Sequence, residues 1–524
     1  MNNINNSTHW ADITAKKIIA LKGDKDLYTC ASGITPSGTV HIGNFREIIS
    51  TYLVVQSLRE MGKKVRFIYS WDDYDVFRKV PKNMPQPEVL ETYLRYPITL
   101  VPDTSASKAE SYARKNEMDV EKELPIVGIN PEYIYQAERY RNSYYAEDIK
   151  HALEKKSEII AILNEYRTTP LDDSWWPIAV FSSFTNKDDT TVLSWDGEYG
   201  ITYRDNIVNK TETIDLRTTS LVKLHWRIDW PMRWAKEKVD FEPAGKDHHS
   251  EGGSFDTSKK IVKCFDYEAP VSFQYDFISI KGHGGKISSS SGDVISLRDV
   301  LEIYTKELTR YLFASTRVNA EFSISFDTDV FKIYEDYDNT ERIYFGVTSA
   351  NDKKKEKESR IYELSQVGEV PKTISYQIPF RHLTNLLLIH SLDIDETIAT
   401  LPDVKEDQVE RLKAKALCAK NWLLNYADDE FTWSLSSKDS PLPEMTDNEK
   451  KAIKMLSVLS KDIDTMDEKE LANKIYDIAK DAEIEPSELF TSAYRVLISR
   501  DKGPRLAGFL KAIGAKKASE ILGR

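Results

Sequence analysis

The stretch LYTCASGITPSGTVHIGNFREIISTYLVVQSLREMGKKVRFIY, from Leu27 to Tyr69, decides the fold of this chain. It opens with the short, mostly apolar run 27–31, which is bounded by Ser32 and Gly33 and is typical of a buried parallel strand. The Pro and Gly residues of 34–39 then predict a loop.

A helix and a second strand complete this stretch. Apolar residues recur at helical spacing from Phe45 to Met61, and Gly62 is placed to end the helix. The apolar run Val65–Tyr69 predicts the next strand. Strand, helix and strand in this order form one β-α-β unit, so the fold class is predicted to be α/β with a doubly wound, Rossmann-type sheet.

The length of the chain, 524 residues, is too great for one hydrophobic core and indicates roughly three domains. Residues 1–300 are expected to form the Rossmann-type domain, with an insertion of Tyr-rich, charged helical stretches at about 85–220. A small connecting domain is expected over 301–375, in which Asp352–Glu358 is predicted to be an exposed linker or hinge. Residues 376–524 are helical in pattern, so the last domain is predicted to be all-α.

Composition restricts the class of protein. No apolar run approaches the ~20 residues needed to cross a bilayer, and the polar, Asn-rich start lacks the features of a signal peptide. A cytoplasmic protein with no membrane partner is therefore expected. The three cysteines, Cys30, Cys264 and Cys418, form no C-x-x-C pair, which favours reduced, partly buried thiols over a zinc site or a disulfide framework.

The charge is unevenly distributed. A net charge of −12 argues against sequence-independent nucleic-acid binding over the whole surface. Residues 493–524 nevertheless carry eight Lys or Arg residues against two acidic ones. Such a cluster is either a solvated helix face or an RNA-contacting end, and composition does not distinguish the two.

Two segments have the composition of sites for phosphate chemistry. The first, Pro36–Asn44, lies between the predicted strand and helix, where the helix N-terminus favours an anion. Gly38 and Gly43 let the backbone approach a ligand closely. His41 and Asn44 are candidate donors to a phosphate, and a capping or packing role is the alternative for His41. The position of the segment at the first β-α turn favours phosphate contact.

The second segment, Gly282–Gly292, combines glycines and serines with a single lysine, Lys286. A loop with one point charge and several hydroxyl donors suits closure over a triphosphate from which pyrophosphate leaves. A flexible Gly/Ser linker is the alternative. The lysine framed by glycines between two apolar segments favours the triphosphate loop.

Together the two segments resemble the HIGH and KMSKS motifs of class I aminoacyl-tRNA synthetases, in the right order and separation. The resemblance extends to Ala31–Gly38, Ser70–Asp75, Asp229–Trp234, Glu242–His248 and Gly503–Leu506. As a set these segments are similar to the class I lysyl-tRNA synthetase family rather than to its glutamyl and glutaminyl relatives. The similarity runs from about residue 10 to the C-terminus and is weaker across 85–220 and 300–370.

Two positions depart from the motifs. Asn44 stands at the fourth position of HIGH, and Ser289 replaces the second lysine of KMSKS, so Lys286 is left to carry the charge of that loop. The resemblance assigns catalytic roles to His41, Asn44, Lys286, Ser288 and Ser290. It assigns ATP binding to Pro36, Ser37, Gly38, His41, Gly43, Asn44, Lys286, Ile287, Ser288 and Ser289.

The resemblance also implies an amino-acid pocket made of Gly33, Thr35, Trp226, His248 and Tyr275. An aromatic face and an apolar slot suit the ammonium and the stem of a lysine substrate, although a single aromatic residue is more often part of a core. Asp72, Asp73 and Asp229 are further candidates for holding ammonium groups. Their alternative is a solvated loop carboxylate.

The implied activity is lysine–tRNA ligation. ATP activates L-lysine to lysyl-adenylate, and the lysyl group passes to the 2′-hydroxyl of the terminal adenosine of tRNA(Lys). Mg²⁺ is expected to accompany ATP, no protein-bound zinc is expected, and the protein is expected to be a monomer.

The same resemblance divides the contacts with tRNA. Residues 301–375 are expected to contact the acceptor stem and residues 376–524 to read the anticodon. Phe380, Arg381, His382 and the segment Arg500–Lys511 are the candidate RNA contacts. A purely structural helical bundle is the alternative for this last domain.

Three other functions stay open. A glutamyl or glutaminyl synthetase would share the fold and the motifs. A small-molecule nucleotidyltransferase would share the H-x-G-H turn and act without tRNA. A non-catalytic relative would bind tRNA without consuming ATP, and the intact His41 and Lys286 count against it.

We expect Lys286→Ala to lower the rate of lysine activation by roughly 10²–10³, the usual effect of removing one donor to a developing charge. Pyrophosphate exchange in the presence of tRNA measures this rate. A variant within about twofold of the wild-type rate would exclude the role of Lys286 in activation.

Overall fold

The computed structural model describes residues 7–82, 84–281 and 294–524. The chain forms two compact units. The first unit comprises the chain through Leu301 together with Lys306–Ile324 and Thr340–Lys372. The second comprises Glu302–Thr305, Ser325–Asn339 and Thr373–Arg524.

Strands occur in the first unit. In chain order they are β1 Tyr28–Ile34, β2 Val65–Trp71, β3 Glu132–Tyr135, β4 Ile178–Val180, β5 Thr190–Trp195, β6 Gly200–Asp205, β7 Lys210–Asp215, β8 Val222–Leu224, β9 Val239–Phe241, β10 Ala244–Gly245, β11 Gln274–Tyr275, β12 Ile278–Ile280 and β13 Phe322–Ile324.

Helices occur in both units. Up to residue 303 they are α1 Trp10–Lys22, α2 Ile42–Glu60, α3 Pro87–Glu91, α4 Tyr112–Glu123, α5 Gln136–Arg141, α6 Ala146–Glu154, α7 Lys156–Asn164, α8 Trp226–Glu237, α9 Lys246–His249, α10 Ser254–Ile261 and α11 Leu297–Ile303. After it they are α12 Lys306–Ala314, α13 Asp329–Tyr344, α14 Asp352–Ser365, α15 Phe380–Ile389, α16 Ile394–Ala399, α17 Val409–Asn425, α18 Asp447–Ser460, α19 Glu468–Asp481, α20 Pro486–Ile498, α21 Leu506–Ile513 and α22 Ala515–Leu522.

The central sheet has the strand order β3-β2-β1-β9, and all its strands are parallel. The chain passes from β1 to β2 and β3 on one side, and β9 later joins the other side of β1. The order therefore reverses at β1, which is the point where doubly wound sheets bind ligands. The predicted α/β, doubly wound class is confirmed.

Helices cover both faces of this sheet because neighbouring residues of a strand point to opposite sides. Ile68 of β2 packs in one core with Trp234 of α8 and Phe255 of α10. The adjacent Phe67 points to the other face, where its ring centroid lies 6.2 Å from that of Tyr52 on α2. The β-α-β unit thus holds α2 rigidly against β1 and β2.

The insertion contains more strand than its sequence predicts. Region 85–220 supplies β3 to the central sheet and also forms an antiparallel three-stranded sheet from β5, β6 and β7. The prediction of helical stretches was wrong over 190–215. These strands bury only one face, with Ile201 and Tyr203 inward, so polar residues interrupt the apolar signal.

The charged run at Asp352–Glu358 is also different from its prediction. It is the first half of α14, whose N-terminus is capped by the side chain of Asn351 accepting from the N–H of Lys354 at 2.9 Å. Lys and Glu are good helix formers, and the buried Ile361 and Leu364 anchor the second half. The linker prediction was therefore wrong.

The helical prediction after residue 375 is confirmed, since the described residues beyond Ile324 contain no strand. The second unit has an aromatic core in which Trp422 contacts Phe331 and Phe431 at centroid distances of 5.0 and 5.1 Å. Among the described residues, no helix combines the length and the apolar character needed to cross a membrane. All three cysteines are buried free thiols.

Candidate active site

A cleft of about 580 Å³ lies at the carboxyl ends of β1 and β2, beside the N-terminus of α2. It is lined by Ser32, Gly33, Ile34, Thr35, Ser37, Gly38, Thr39, Val40, Asn44, Glu47, Ile48, Tyr69, Asp72, Asp75, Val76, Arg78, Ala179, Asp188, Lys223, His225, Trp226, His248 and Tyr275. Polar groups from the β-α-β unit, the insertion and the later strands therefore converge on one site.

A smaller cavity of about 70 Å³ adjoins the cleft. The two share the lining residues Ser32, Gly33, Glu47, Asp72, Trp226 and His248. Trp230, Arg233 and Glu242 line the smaller cavity and not the cleft. The cleft thus ends in a narrow recess that combines aromatic rings with buried charges.

The turn before α2 is held by a reciprocal cap. Nδ1 of His41 accepts from the N–H of Asn44 at 3.3 Å, and Oδ1 of Asn44 accepts from the N–H of His41 at 3.2 Å. Gly43 is required beneath this cap, since a Cβ there would come within 2.8 Å of the imidazole. The capping role weighed for His41 is therefore present in the structure.

Of the predicted catalytic, ATP-site and lysine-site residues that the structure describes, most line the cleft. Ser37, Gly38 and Asn44 of the predicted ATP site line it. All five residues of the predicted lysine site, Gly33, Thr35, Trp226, His248 and Tyr275, line it as well.

Three residues of the predicted ATP site, Pro36, His41 and Gly43, are not among the lining residues. Pro36 instead accepts at its carbonyl from the side-chain amide of Asn116 at 3.2 Å. Lys286, Ile287, Ser288, Ser289 and Ser290 lie outside the described residues.

Glu47 is a site residue that the sequence analysis missed. Its carboxylate is buried and accepts from the hydroxyls of Tyr275 at 2.5 Å and Ser32 at 2.8 Å, and from the N–H of Gly33 at 3.3 Å. Burial raises its pKa. The helix pattern gave no clear signal for Glu47, because α2 carries polar residues on several faces, Arg46 and Ser50 among them.

Arg233 is a second missed residue, although it lies in a segment that carries the resemblance. Its Nη1 donates to Asp72 at 2.5 Å and to the hydroxyl of Ser70 at 2.7 Å. Its Nε lies 3.3 Å from Asp229, which also accepts from the hydroxyl of Tyr140. Burial raises the pKa of Asp72. Two predicted ammonium partners, Asp72 and Asp229, are therefore already paired with a guanidinium.

Asp73, the third predicted ammonium partner, is not brought to the cleft. Its Oδ1 accepts from the N–H of Ala137 at 2.7 Å, which ties the end of β2 to the start of α5, directly after β3. Burial raises its pKa to about 7. Its role in this structure is to join two strand ends.

β8, the strand that follows the insertion, also reaches the cleft. Nζ of Lys223 lies 2.5 Å from Oδ1 of Asp75, and Oδ2 of Asp75 accepts from the hydroxyl of Thr35 at 3.1 Å. His225, at the start of α8, also lines the cleft, and burial lowers its pKa to about 4. No local sequence pattern indicates Lys223 as a site residue, because 148 positions in the chain separate it from its partner Asp75.

Glu242 lies at the inner end of the recess. Its Oε2 accepts from the indole N–H of Trp234 at 2.6 Å. Burial raises the pKa of Glu242 to about 7, and the nearby Glu47 carboxylate adds to the rise. Within the described parts of the chain, no group of three or more His, Cys, Asp or Glu side chains is arranged to hold a metal ion.

The candidate RNA contacts of the second unit differ in their exposure to solvent. Phe380 is 2% exposed and stacks on Tyr334 at a centroid distance of 4.1 Å, so its predicted RNA contact is wrong. Arg381 is exposed and pairs with Glu430 at 2.7 Å. Arg500 donates to the carbonyl of Thr432 at 3.0 Å and leaves much of its surface in solvent.

The chain is similar to a family of known proteins and to several of its members. The family "tRNA synthetases class I (K)" matches residues 8–368. A lysine–tRNA ligase of Borreliella burgdorferi is 56% identical over 98% of this chain and 99% of its own length. One of Treponema pallidum is 51% identical over 98% of each chain. A solved glutamate tRNA ligase from Elizabethkingia meningosepticum is 14% identical over 95% of this chain and 98% of its own, with a TM-score of 0.45.

We expect Glu242→Gln to become relatively more stable than the wild type as pH rises. The native carboxyl, with a pKa of about 7, binds a proton that the unfolded chain, with a pKa of 4.5, has released. The bound proton stabilises the folded protein fully below the unfolded pKa, and this stabilisation is lost as pH rises through the folded pKa. The Gln side chain does not titrate, so the variant does not lose stability in this way. Urea unfolding at about pH 5 and about pH 8 measures the change. A difference between the two proteins that is the same at both pH values would contradict this assignment.

Proposed function

The chain belongs to the class I lysyl-tRNA synthetases, and we propose that the cleft beside α2 is where it activates L-lysine. It is a lysine–tRNA ligase, which joins L-lysine to tRNA(Lys) at the expense of ATP. One observation supports this location. Residues of the predicted ATP site and of the predicted lysine site line the same cleft, which lies at the switch point of the sheet.

The nucleotide is proposed to lie at the end of the cleft that is beside the N-terminus of α2. Ser37, Gly38 and Asn44 line this end, beside the first turn of the 19-residue helix α2. The positive end of the helix dipole stabilises phosphate there. The cap formed by His41 and Asn44 supports this proposal, because it fixes the backbone that would face the phosphates.

The lysine side chain is proposed to point toward Glu47. Trp226 and Tyr275 supply aromatic walls for an aliphatic stem, and the Glu47 carboxylate, which accepts from the Tyr275 hydroxyl, lines the same cleft. Burial alone disfavours the ionised carboxylate, and a bound ε-ammonium would offset that cost. Asp72 is less suited to this role because Arg233 already pairs with it.

The reaction then needs no protein nucleophile. The lysine carboxylate attacks the α-phosphorus of ATP, and the bond to pyrophosphate breaks to leave lysyl-adenylate. The 2′-hydroxyl of the terminal adenosine next attacks the carbonyl carbon, loses its proton and releases AMP. The protein contributes positioning and stabilisation of charge on the phosphates.

Lys286 with its neighbouring serines and Mg²⁺ are the groups proposed to assist the reaction of ATP. Lys286 and its neighbouring serines remain the predicted donors to the leaving pyrophosphate. Mg²⁺ is proposed to arrive with ATP and to be held mainly by the phosphate oxygens, since Mg²⁺ commonly keeps several waters in nucleotide sites.

The tRNA is proposed to use the rest of the chain as the family resemblance implies. Residues 301–375 would contact the acceptor stem, and the helices α15–α22 would read the anticodon. Several of the predicted RNA contacts are exposed, which supports this role: Arg381, His382, Arg500, Lys502 and Arg505. The monomeric state and the cytoplasmic location remain predictions.

We expect the protein to charge total tRNA with lysine alone when each of the twenty radiolabelled amino acids is tested with ATP. Omission of ATP is the control and should abolish charging. Charging with another amino acid would retain the ligase mechanism and reject the proposed side-chain pocket. Binding of tRNA without any charging would reject the activity itself.

We expect His41→Asn to keep the melting temperature of the wild type and to lose activation by roughly 10²-fold. Asparagine caps a helix well, so this variant separates capping from phosphate contact. His41→Ala, which removes both, should be less stable as well as inactive. Wild-type activation by His41→Asn would show that the histidine acts only as a cap.

A further inference from the structure

Arg46 stands next to Glu47 on α2 and is only 2% exposed. Within the described parts of the chain, its guanidinium donates to main-chain carbonyls from two distant segments. The acceptors are Asp276 at 2.7 Å and Phe277 at 3.0 Å on Nη1, and Arg317 at 3.1 Å, Val318 at 2.9 Å and Ala320 at 2.7 Å on Nη2.

The two segments held by Arg46 also contact each other, since the N–H of Asp276 donates to the carbonyl of Val318 at 3.0 Å. The guanidinium lies over the ring of Phe322, 5.2 Å from its centroid. Burial lowers the pKa of Arg46 to about 10, so the group stays protonated at neutral pH. A charged fork therefore fixes the path of the main chain after Tyr275.

The position of Tyr275 depends on this path. β11 consists of only Gln274 and Tyr275 and pairs with the equally short β10, so its own ladder gives little rigidity. The residue after Tyr275 is the first acceptor of Arg46. The Tyr275 hydroxyl donates to Glu47, the residue after Arg46, at 2.5 Å.

We propose that Arg46 is a positioning residue for lysine recognition, which holds the main chain after Tyr275 so that the phenol and the Glu47 carboxylate stay aligned in the cleft. This inference rests on the proposed function, in which Glu47 and Tyr275 receive the lysine side chain. Arg46 does not line the cleft and acts through its two neighbours in the site.

The test compares Arg46→Lys with the matched control Arg310→Lys in the full-length protein. Arg310 is 1% exposed and donates to the carbonyls of Leu364 at 2.7 Å and Val127 at 3.0 Å. Neither of these two acceptors lines the cleft or is a neighbour of Tyr275 in the chain. Both changes remove buried bonds to carbonyls, so both should lower the melting temperature. Only Arg46→Lys should raise the KM for lysine, by about tenfold, with the KM for ATP within about twofold of the wild type.

A second comparison shows whether Arg46 acts through Tyr275. In a Tyr275→Phe background, Arg46→Lys should add little to the KM for lysine, because the aligned hydroxyl is already absent. If Arg46→Lys does not fold, Phe322→Leu gives a milder disturbance of the same guanidinium and should raise the same KM.

Two results would overturn the proposal: an unchanged KM for lysine in a folded Arg46→Lys protein, or equal rises in the KM for lysine and for ATP. Glu47→Gln separates this failure from failure of the proposed function. If Glu47→Gln leaves the KM for lysine unchanged, the lysine does not lie against Glu47 and both proposals fall. If Glu47→Gln raises it and Arg46→Lys does not, only the role of Arg46 is rejected.

Discussion

The Glu47 carboxylate joins three parts of the chain at one buried point. It accepts from Ser32 and Gly33 at the end of β1 and from Tyr275 of β11, while α2 carries it. A buried carboxylate is costly unless its oxygens are hydrogen-bonded, so these donors must stay in place for the fold to tolerate it. The end of the first strand, the first helix and a strand more than 200 residues later are thereby held in one geometry, and the cleft is the space between them.

The charges around the recess are unbalanced in a way that suits a cationic substrate. Arg233 lies between Asp72 and Asp229, whereas Glu47 and Glu242 accept only neutral donors among the hydrogen bonds that we describe. Burial raises the pKa of both glutamates, and their proximity adds to the rise at Glu242. An ammonium would relieve this repulsion and an anionic side chain would increase it, which favours lysine over glutamate.

Buried arginines perform the complementary task of fixing backbone. Arg46 and Arg310 each direct a guanidinium at main-chain carbonyls of segments that are distant in the chain. A guanidinium suits this task because its donors are rigidly spread in a plane. Arg46 holds the backbone next to Tyr275 of the cleft, whereas Arg310 holds backbone that does not line the cleft. The same kind of contact therefore has a different consequence in each place.

Local sequence determined the β-α-β unit, the turn at Pro36–Asn44 and the helical character of the C-terminal region. Each depends on the periodicity of nearby residues and on glycine or proline at a turn. The resemblance of short segments indicated the family and predicted five residues for a lysine pocket. All five line the cleft although they are far apart in the chain.

Tertiary structure alone decided the electrostatics of the site. Whether Asp72 faces an ammonium or a guanidinium depends on Arg233, and the value of Glu47 as an ammonium partner depends on Tyr275. Tertiary structure also buried Phe380 and turned the half-exposed segment 190–215 into strands. Burial and pairing are set by groups that meet only when the chain folds, and they control the free energy of a charge more strongly than its neighbours in sequence do.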